Sequence, residues 1–340
     1  MIPANLAAGQ PRWRQELARA VSDPAELLRL LDLDLGLLPA ARAAARGFPL
    51  RVPRGFVARM RHSDLADPLL RQVLPLGAEL EFAPGDSLDP VGDRDALLAP
   101  GVLGKYQGRI LLVATGACAV HCRYCFRRHF PYGDENPRAD GWRAALEAIA
   151  ADPGCDEVIL SGGDPLSLSD ARLGALCAEL AALPQLRRLR IHTRLPVVLP
   201  ERVCDELLAW FAPLPLQKVV VIHANHAREL DPEVARACRA LADAGATLLN
   251  QSVLLRGVND DADALVELSQ TLFAAGVLPY YLHQLDRVQG AAHFGVPDPE
   301  ARALVAAAAA RLPGYLVPRL VREVPGAPNK LPIELGAGGY

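Results

Sequence analysis

Lysine is the scarcest basic residue in this chain: of 36 lysines and arginines, only Lys105, Lys218 and Lys330 are lysine. Where arginine has taken over so widely, a remaining lysine points to a place that a permanently charged guanidinium cannot fill, Schiff-base chemistry above all. Charge of one sign is lacking too. A net charge of -3 leaves no broad basic field, which argues against nucleic acid or an anionic membrane as the main partner and makes small molecules the expected ligands. No apolar run is long enough to span a bilayer, and Met1 to Arg14 lacks the charged-then-apolar layout of a secretory leader. The expected location is the cytoplasm. Finally, no glycine-rich phosphate fingerprint follows the first strong strand signal, which argues against a doubly wound dinucleotide fold.

What is present is enough apolar material to bury a full core: 340 residues, 51% of them hydrophobic. The first hundred residues alternate helical stretches with proline-broken turns, as in "SDPAELLRLLDL", where Ser22 or Asp23 can cap and Pro24 suits the first turn. Residues 1–100 are therefore expected to form a helical N-terminal region flanking a main domain over 101–340. From Arg109 onward short apolar runs alternate with helical segments. The strands expected are "RILLVAT", "DEVILS", "LRRLRIH", "KVVVIH", "TLLNQSVLL" and "LPYYLHQ", with "GYLVPRLVRE" closing the series. The intervening helices are expected over Gly141–Ala151, Asp170–Leu183, Glu201–Phe211, Pro232–Ala244, Asp261–Ala275 and Pro299–Arg311. This pattern predicts an α/β protein built on a partial TIM-type (β/α)6 barrel. The unusual polar residues all fall just after a strand, so one barrel face would gather them.

Seven cysteines in a reducing compartment point to metal binding or burial, and Cys155, Cys177, Cys204 and Cys238, which lie singly, read as small core residues. The other three form "CAVHCRYC", with Cys118, Cys122 and Cys125 spaced C-x3-C-x2-C. Three thiolates can hold three irons of a [4Fe-4S] cluster and leave the fourth iron open to an exogenous ligand. The alternative is structural zinc with His121 or His129 as fourth ligand, although closed zinc sites favour paired C-x2-C knuckles. "LSGGDP" at 160–165 adds a strand-end segment of small residues that lets backbone groups approach a ligand.

The cysteine spacing with Tyr124 before the third cysteine resembles the radical S-adenosylmethionine superfamily, in which that compound chelates the open iron and yields a 5'-deoxyadenosyl radical. "CAVHCRYCFRRHF", "LSGGDPLSLSD", "RIHTRLPVVLP", "NQSVLLRGVND" and the Pro-Gly...Lys loop together resemble the lysine 2,3-aminomutases over residues 103–332. That resemblance implies an isomerase with three cofactors: a [4Fe-4S] cluster, S-adenosylmethionine and pyridoxal 5'-phosphate. It implies Cys118, Cys122 and Cys125 on the cluster. It further implies Tyr124, Ser161, Gly162, Gly163, Asp164, His223 and Gln251 on S-adenosylmethionine, and Lys330 as the Schiff-base lysine. Lys105, Tyr106 and Arg109 match phosphate and ring contacts of the coenzyme. Arg127 matches the clamp for the substrate carboxylate, with Arg128 as its rival, while Asp286 and Glu323 match the acids around the distal amine of L-lysine. Glu323 departs from the aspartate expected there. The chain stops ten residues after Lys330 and looks like the short bacterial form that makes (R)-β-lysine from (S)-α-lysine. In that pathway a flavodoxin-type reductant supplies the electron and a ligase attaches the product to elongation factor P. The other readings are a catabolic or glutamate-type aminomutase, and a noncatalytic zinc or iron-sulfur scaffold.

Overall fold

A computed structural model of the chain describes residues 11–133 and 142–335. A single ten-stranded sheet follows the order of the chain: β1 (Leu97–Ala99), β2 (Val102–Tyr106), β3 (Arg109–Thr115), β4 (Glu157–Gly162), β5 (Arg188–Thr193), β6 (Gln217–Ile222), β7 (Ala246–Val253), β8 (Leu278–His283), β9 (Arg319–Arg322) and β10 (Leu331–Pro332). β3 to β9 run parallel. β1 and β2 extend the first edge antiparallel, as β10 does the other. Helices at Arg143–Ala150, Asp170–Ala181, Asp205–Phe211, Pro232–Asp243, Ala262–Ala274 and Asp298–Ala309 make the crossovers. Parallel neighbours in chain order, joined through helices, are the arrangement of a TIM-type barrel, here a partial one. Every run read as a strand contains one.

Three details depart from the sequence pattern. β1 lies inside the stretch expected to be helical, because Pro100-Gly101 turns the chain back on itself; Gly101 takes φ of 69°, the left-handed position that a Pro-Gly turn needs. The helix expected from Glu201 begins at Asp205, since Pro200–Arg202 forms a 3-10 turn behind a short helix at Leu195–Val198. In "GYLVPRLVRE" only Arg319–Arg322 is strand; Gly314–Leu316 is a 3-10 turn, and Pro318 has no N–H to give a ladder. The expected start of the first crossover helix, Gly141, lies outside the described residues.

The N-terminal helices, Arg12–Ala18, Pro24–Leu30, Leu38–Gly47, Arg54–Val57 and Pro68–Arg71, start where the sequence offers caps. Asp23 accepts from Ala25 N at 3.0 Å, and Asp67 from Leu69 N and Leu70 N at 2.9 and 3.0 Å. Their apolar faces do not form a separate core. Trp13, Leu27, Phe56, Leu69 and Val73 share one continuous cluster with Ile110, Leu160, Ile191 and Val220 of the strands.

Polar groups tie the same regions together. The Arg123 guanidinium, fully buried in the cysteine loop, donates from Nε and Nη2 to both oxygens of Glu79 at 2.8 and 2.5 Å, and from Nη1 to Phe48 O at 2.8 Å. Arg128 Nη2 adds a third contact to Glu79 at 2.7 Å. His121 N and Arg123 N donate to Arg51 O and Gln72 O, so backbone contacts reinforce the clasp. Taking one partner from a buried ion pair leaves the other charge uncompensated, which costs about 3–5 kcal/mol. Chemical denaturation of Glu79→Ala should show a loss of that size, whereas a loss near zero would mean that Arg123 finds another acceptor.

Candidate active site

The loops after the parallel strands enclose a cavity of about 450 Å³, lined by Cys118, Cys122 and Cys125 from the loop after β3, by Ser161 to Asp164 after β4, and by Arg194 after β5. His223, Gln251, Asp286, Glu323 and Lys330 complete the wall from the later strands, with Lys105, Tyr106 and Arg109 from the β2–β3 hairpin. The structure thus brings together the residues that the family resemblance implied for cluster, cofactors and substrate, while Lys218 and His129 are not among the lining residues. Crossover topology accounts for the loops that follow the parallel strands, which leave the sheet at its carboxyl end, whereas Lys105, Tyr106 and Arg109 reach the cavity from the antiparallel β2–β3 hairpin.

The three cysteines are free thiols, each partly accessible. Burial, with Asp164 and the two neighbouring sulfurs, pushes the Cys118 thiol well up, and burial with Cys122 pushes the Cys125 thiol up to about 11. Burial and the neighbouring sulfurs thus disfavour the thiolate forms, and a bound cationic centre would be needed to hold all three deprotonated; this donor set fits an iron-sulfur cluster. Among the described residues no three His, Cys, Asp or Glu side chains gather around a single ion position. Of the two histidines considered for zinc, His129 does not line the cavity and donates from Nε2 to Gln289 O at 3.1 Å, whereas His121 lines it and donates from Nδ1 to Pro49 O at 2.8 Å.

Gly162 and Gly163 pack directly on the start of the cysteine loop. A methyl group at Gly163 would lie 2.4 Å from Ala117 O, and one at Gly162, whose φ is 116°, 2.6 Å from Thr115 O. Only glycine permits that approach. Asp164 has its carboxylate committed to the next strand end, accepting from Thr193 Oγ1 at 2.7 Å, Arg194 N at 2.7 Å and Leu195 N at 3.2 Å. It therefore links the second and third barrel loops. Tyr124 lays its ring on the cavity wall, while its hydroxyl accepts from Asn225 Nδ2 at 2.7 Å.

Five charges alternate in sign along another wall. Arg127 donates from Nε to Asp93 Oδ2 at 2.6 Å and from Nη1 to Ser161 Oγ at 3.0 Å. Lys105 Nζ contacts Asp93 Oδ1 at 2.6 Å and Glu323 Oε1 at 3.3 Å, and Glu323 also accepts from Lys330 Nζ. Burial alone would raise the Glu323 carboxyl, but Lys330 and Lys105 outweigh it and hold it at about 2. Asp286, beside this chain, is pushed up to about 7 by burial and by Glu323. Arg128, the rival to Arg127, is spent on Glu79, Arg123 O and Gly290 O. Several buried groups lack partners: Arg109 Nε and the Nε2 atoms of His192, His223 and His283. Orphaned donors and acceptors on a cavity wall are what a polar ligand would satisfy, and Arg109 stacks 5.0 Å over the Tyr106 ring, next to Lys105. That cluster suits a phosphate and a flat ring.

Sequence reasoning missed Asp93 and the network of Arg194, Gln72, Glu229 and Asn225. Arg194 donates from Nη2 to Gln72 Oε1 at 2.6 Å and to Glu229 Oε2 at 2.9 Å. Arg194 lies within "RIHTRLPVVLP", one of the stretches that carry the family resemblance, but nothing in the spacing of Gln72 or Asp93 marks them out.

Comparison with known proteins agrees with this geometry. Residues 112–268 match the model of the Radical SAM superfamily. The L-lysine 2,3-aminomutase of Escherichia coli strain K12 is 51% identical over 95% of this chain and 94% of its own length; that of Haemophilus influenzae is 48% identical over 94% and 95%. The Clostridium subterminale L-lysine 2,3-aminomutase is 33% identical over 94% of this chain but only 77% of its own. Among the described residues no helix is long and apolar enough to cross a membrane.

The Asp286 carboxyl holds its proton at about 7 in the fold against an ordinary 3.8. Between those values the folded chain binds more protons than the unfolded one, so the stability this group contributes is complete below about pH 4 and is lost as pH rises through about 7. Urea denaturation across that range should show the decline, and Asp286→Asn should flatten it; an unchanged slope in the variant would assign the effect to another group.

Proposed function

The chain belongs to the L-lysine 2,3-aminomutase family of radical S-adenosylmethionine enzymes, which are isomerases, and from that premise we propose that it converts (S)-α-lysine to (R)-β-lysine in the cytoplasm. Family membership implies a [4Fe-4S] cluster, S-adenosylmethionine and pyridoxal 5'-phosphate. When bound, the first two supply a hydrogen-abstracting carbon radical and the third a carbonyl that captures an amine. The observation that carries the reading is the single cavity shared by three thiols, the Lys330 amine and the acid pair Asp286 and Glu323.

Each residue has a task that its setting supports. Cys118, Cys122 and Cys125 would hold the cluster, with Tyr124 and the backbone of Ser161 to Asp164 shaping the S-adenosylmethionine side, where His223 and Gln251 also face the cavity. Burial, with Arg194 and Lys330 nearby, holds His223 down at about 3, so its imidazole is neutral and offers a hydrogen bond without charge. Lys330 would carry the coenzyme. On leaving Glu323 for that bond it frees the carboxylate for the incoming ammonium of lysine. Lys105, Arg109 and Tyr106 would take the phosphate and ring, and Arg127, already aimed by Asp93 and Ser161, the substrate carboxylate as a planar fork. A glutamate-type substrate would instead set its distal carboxylate against Asp286 and Glu323.

The pathway reading is that β-lysine passes to a ligase acting on elongation factor P, with a flavodoxin-type protein supplying the electron. Its support is the resemblance of the sequence motifs to the bacterial aminomutases of that pathway.

Anaerobic reconstitution with iron, sulfide, S-adenosylmethionine and pyridoxal phosphate, followed by chromatography of lysine, should yield β-lysine; none formed by a fully loaded protein would reject the assignment. Cys122→Ala should lose the cluster signal and all turnover. Lys330→Ala should keep the cluster yet lose the coenzyme's visible absorption, and retained colour would move the coenzyme to another residue. Asp286→Asn should raise KM for lysine about 10- to 150-fold, the equivalent of one charged hydrogen bond of roughly 1.5–3 kcal/mol.

A further inference from the structure

Arg194 is 5% exposed, and its three nearest polar partners lie on three separate parts of the chain. Nη2 donates to Gln72 Oε1 at 2.6 Å, beside the N-terminal helix Pro68–Arg71, and to Glu229 Oε2 at 2.9 Å, beyond β6; Nη1 donates to Cys122 Sγ at 2.7 Å. The guanidinium is not free to choose another direction. Glu229 is fully buried and fixed by Gln72 Nε2 at 3.0 Å, Asn225 N at 2.8 Å and His226 N at 3.1 Å. At the other end the Arg194 backbone N–H is pinned by Asp164, and the ring centroids of Phe56 and Tyr124 lie 5.6 and 5.7 Å from the guanidinium carbon. Most of this framework would be needless if Arg194 only filled space, because a buried cation costs more than an apolar side chain of its size. What the framework achieves is to aim one N–H at one sulfur.

We propose that Arg194 sets the reduction potential of the cluster by hydrogen bonding to the Cys122 sulfur, with Glu229 and Gln72 as the residues that aim it. This rests on the three-cysteine reading given above. When the cluster accepts one electron its charge becomes more negative and part of that charge resides on the thiolate sulfurs. A charged N–H donor stabilises the reduced form more than the oxidised one and so raises the potential. Arg194 keeps its proton throughout and exchanges neither electron nor proton. Other cations lie near the sulfurs, Arg51 beside Cys118 and Arg127 and Arg128 beside Cys125. The last two are turned to Asp93 and Glu79, so they supply background field, while Arg194 supplies the directed bond. Because Gln72 precedes the barrel, the arrangement also makes the N-terminal region a determinant of how readily the cluster is reduced.

The test is a mediated redox titration of anaerobically reconstituted full-length protein without S-adenosylmethionine, read by electron paramagnetic resonance of the reduced cluster. Arg194→Met, at iron and sulfide content equal to the parent, should shift the midpoint negative, with at least a tenfold change in the oxidised-to-reduced ratio at fixed poise, about 59 mV for one electron. Arg194→Lys should fall between the two. An Arg194→Met protein with a full cluster and an unmoved midpoint overturns the proposal and leaves the aminomutase reading standing. Failure of the parent protein to assemble any [4Fe-4S] cluster overturns both. If Arg194→Met takes up no cluster, parent protein labelled with 15N-arginine is read by pulsed resonance in the reduced state. A nitrogen coupling carried through the sulfur is expected there, and its absence overturns the proposal.

Discussion

The paired contact of the Arg123 guanidinium with the Glu79 carboxylate, both out of water, fastens the cysteine loop to a segment 44 residues earlier in the chain. A loop that presents three sulfurs to a cavity has little apolar surface with which to fix itself, and its own backbone contacts are a few short turns such as Cys125 N to Cys122 O. Position therefore has to come from outside. The N-terminal region supplies it, its helices by sharing the barrel's apolar core and the segments between and after them by presenting Glu79, the Gln72 carbonyl and the Arg51 carbonyl to the loop. The barrel supplies the remainder through glycines that let β4 press against Ala117.

The second organising feature is electrical. A pocket walled by Arg127, Lys105 and Lys330 could not stay desolvated with those charges unpaired. Asp93 and Glu323 alternate with them, so that each cation touches an anion and the row is close to neutral. Ligands bearing phosphate, carboxylate and ammonium groups would then exchange partners within the row and would not have to bring charge into an unprepared wall. Asp286, shifted by burial and by Glu323, stands at the end of that row as a group whose charge state can follow what binds beside it.

Much of this was legible in the sequence, and the reason differs from residue to residue. Strands β3 to β9 are short β-branched and leucine runs bounded by turns, a signal that survives without tertiary context. The cysteines and Lys330 stood out by spacing and by scarcity. Lys105 and Lys330 both line the cavity, whereas the Lys218 ammonium donates to Phe211 O and Ala212 O at 3.3 and 2.6 Å, satisfying carbonyls at a helix end. Asp93, Glu79, Gln72 and Glu229 were invisible because a buried acid or amide is the same letter as a solvated one, and the contacts Asp93–Arg127, Glu79–Arg123 and Gln72–Glu229 span 34, 44 and 157 residues of chain. β1 and β2 were overlooked for a related reason. Their signal is the Pro100-Gly101 turn and not an apolar run, and the strands themselves are three and five residues long.

The clasp between the chain's beginning and its cysteine loop also has an order in time. Synthesis delivers Glu79 and Gln72 first; Arg123 follows, and Glu229 emerges only 157 residues after Gln72. Until then the bond between Gln72 and Glu229 cannot form, and the N-terminal helices lack the strand residues with which they share one apolar cluster. The thiols leave the ribosome well before the frame that orients them is whole. Metal loading of a nascent chain would accordingly meet a loose trio of sulfurs, and the ordered cradle belongs to the chain once the loop beyond β6 has been released.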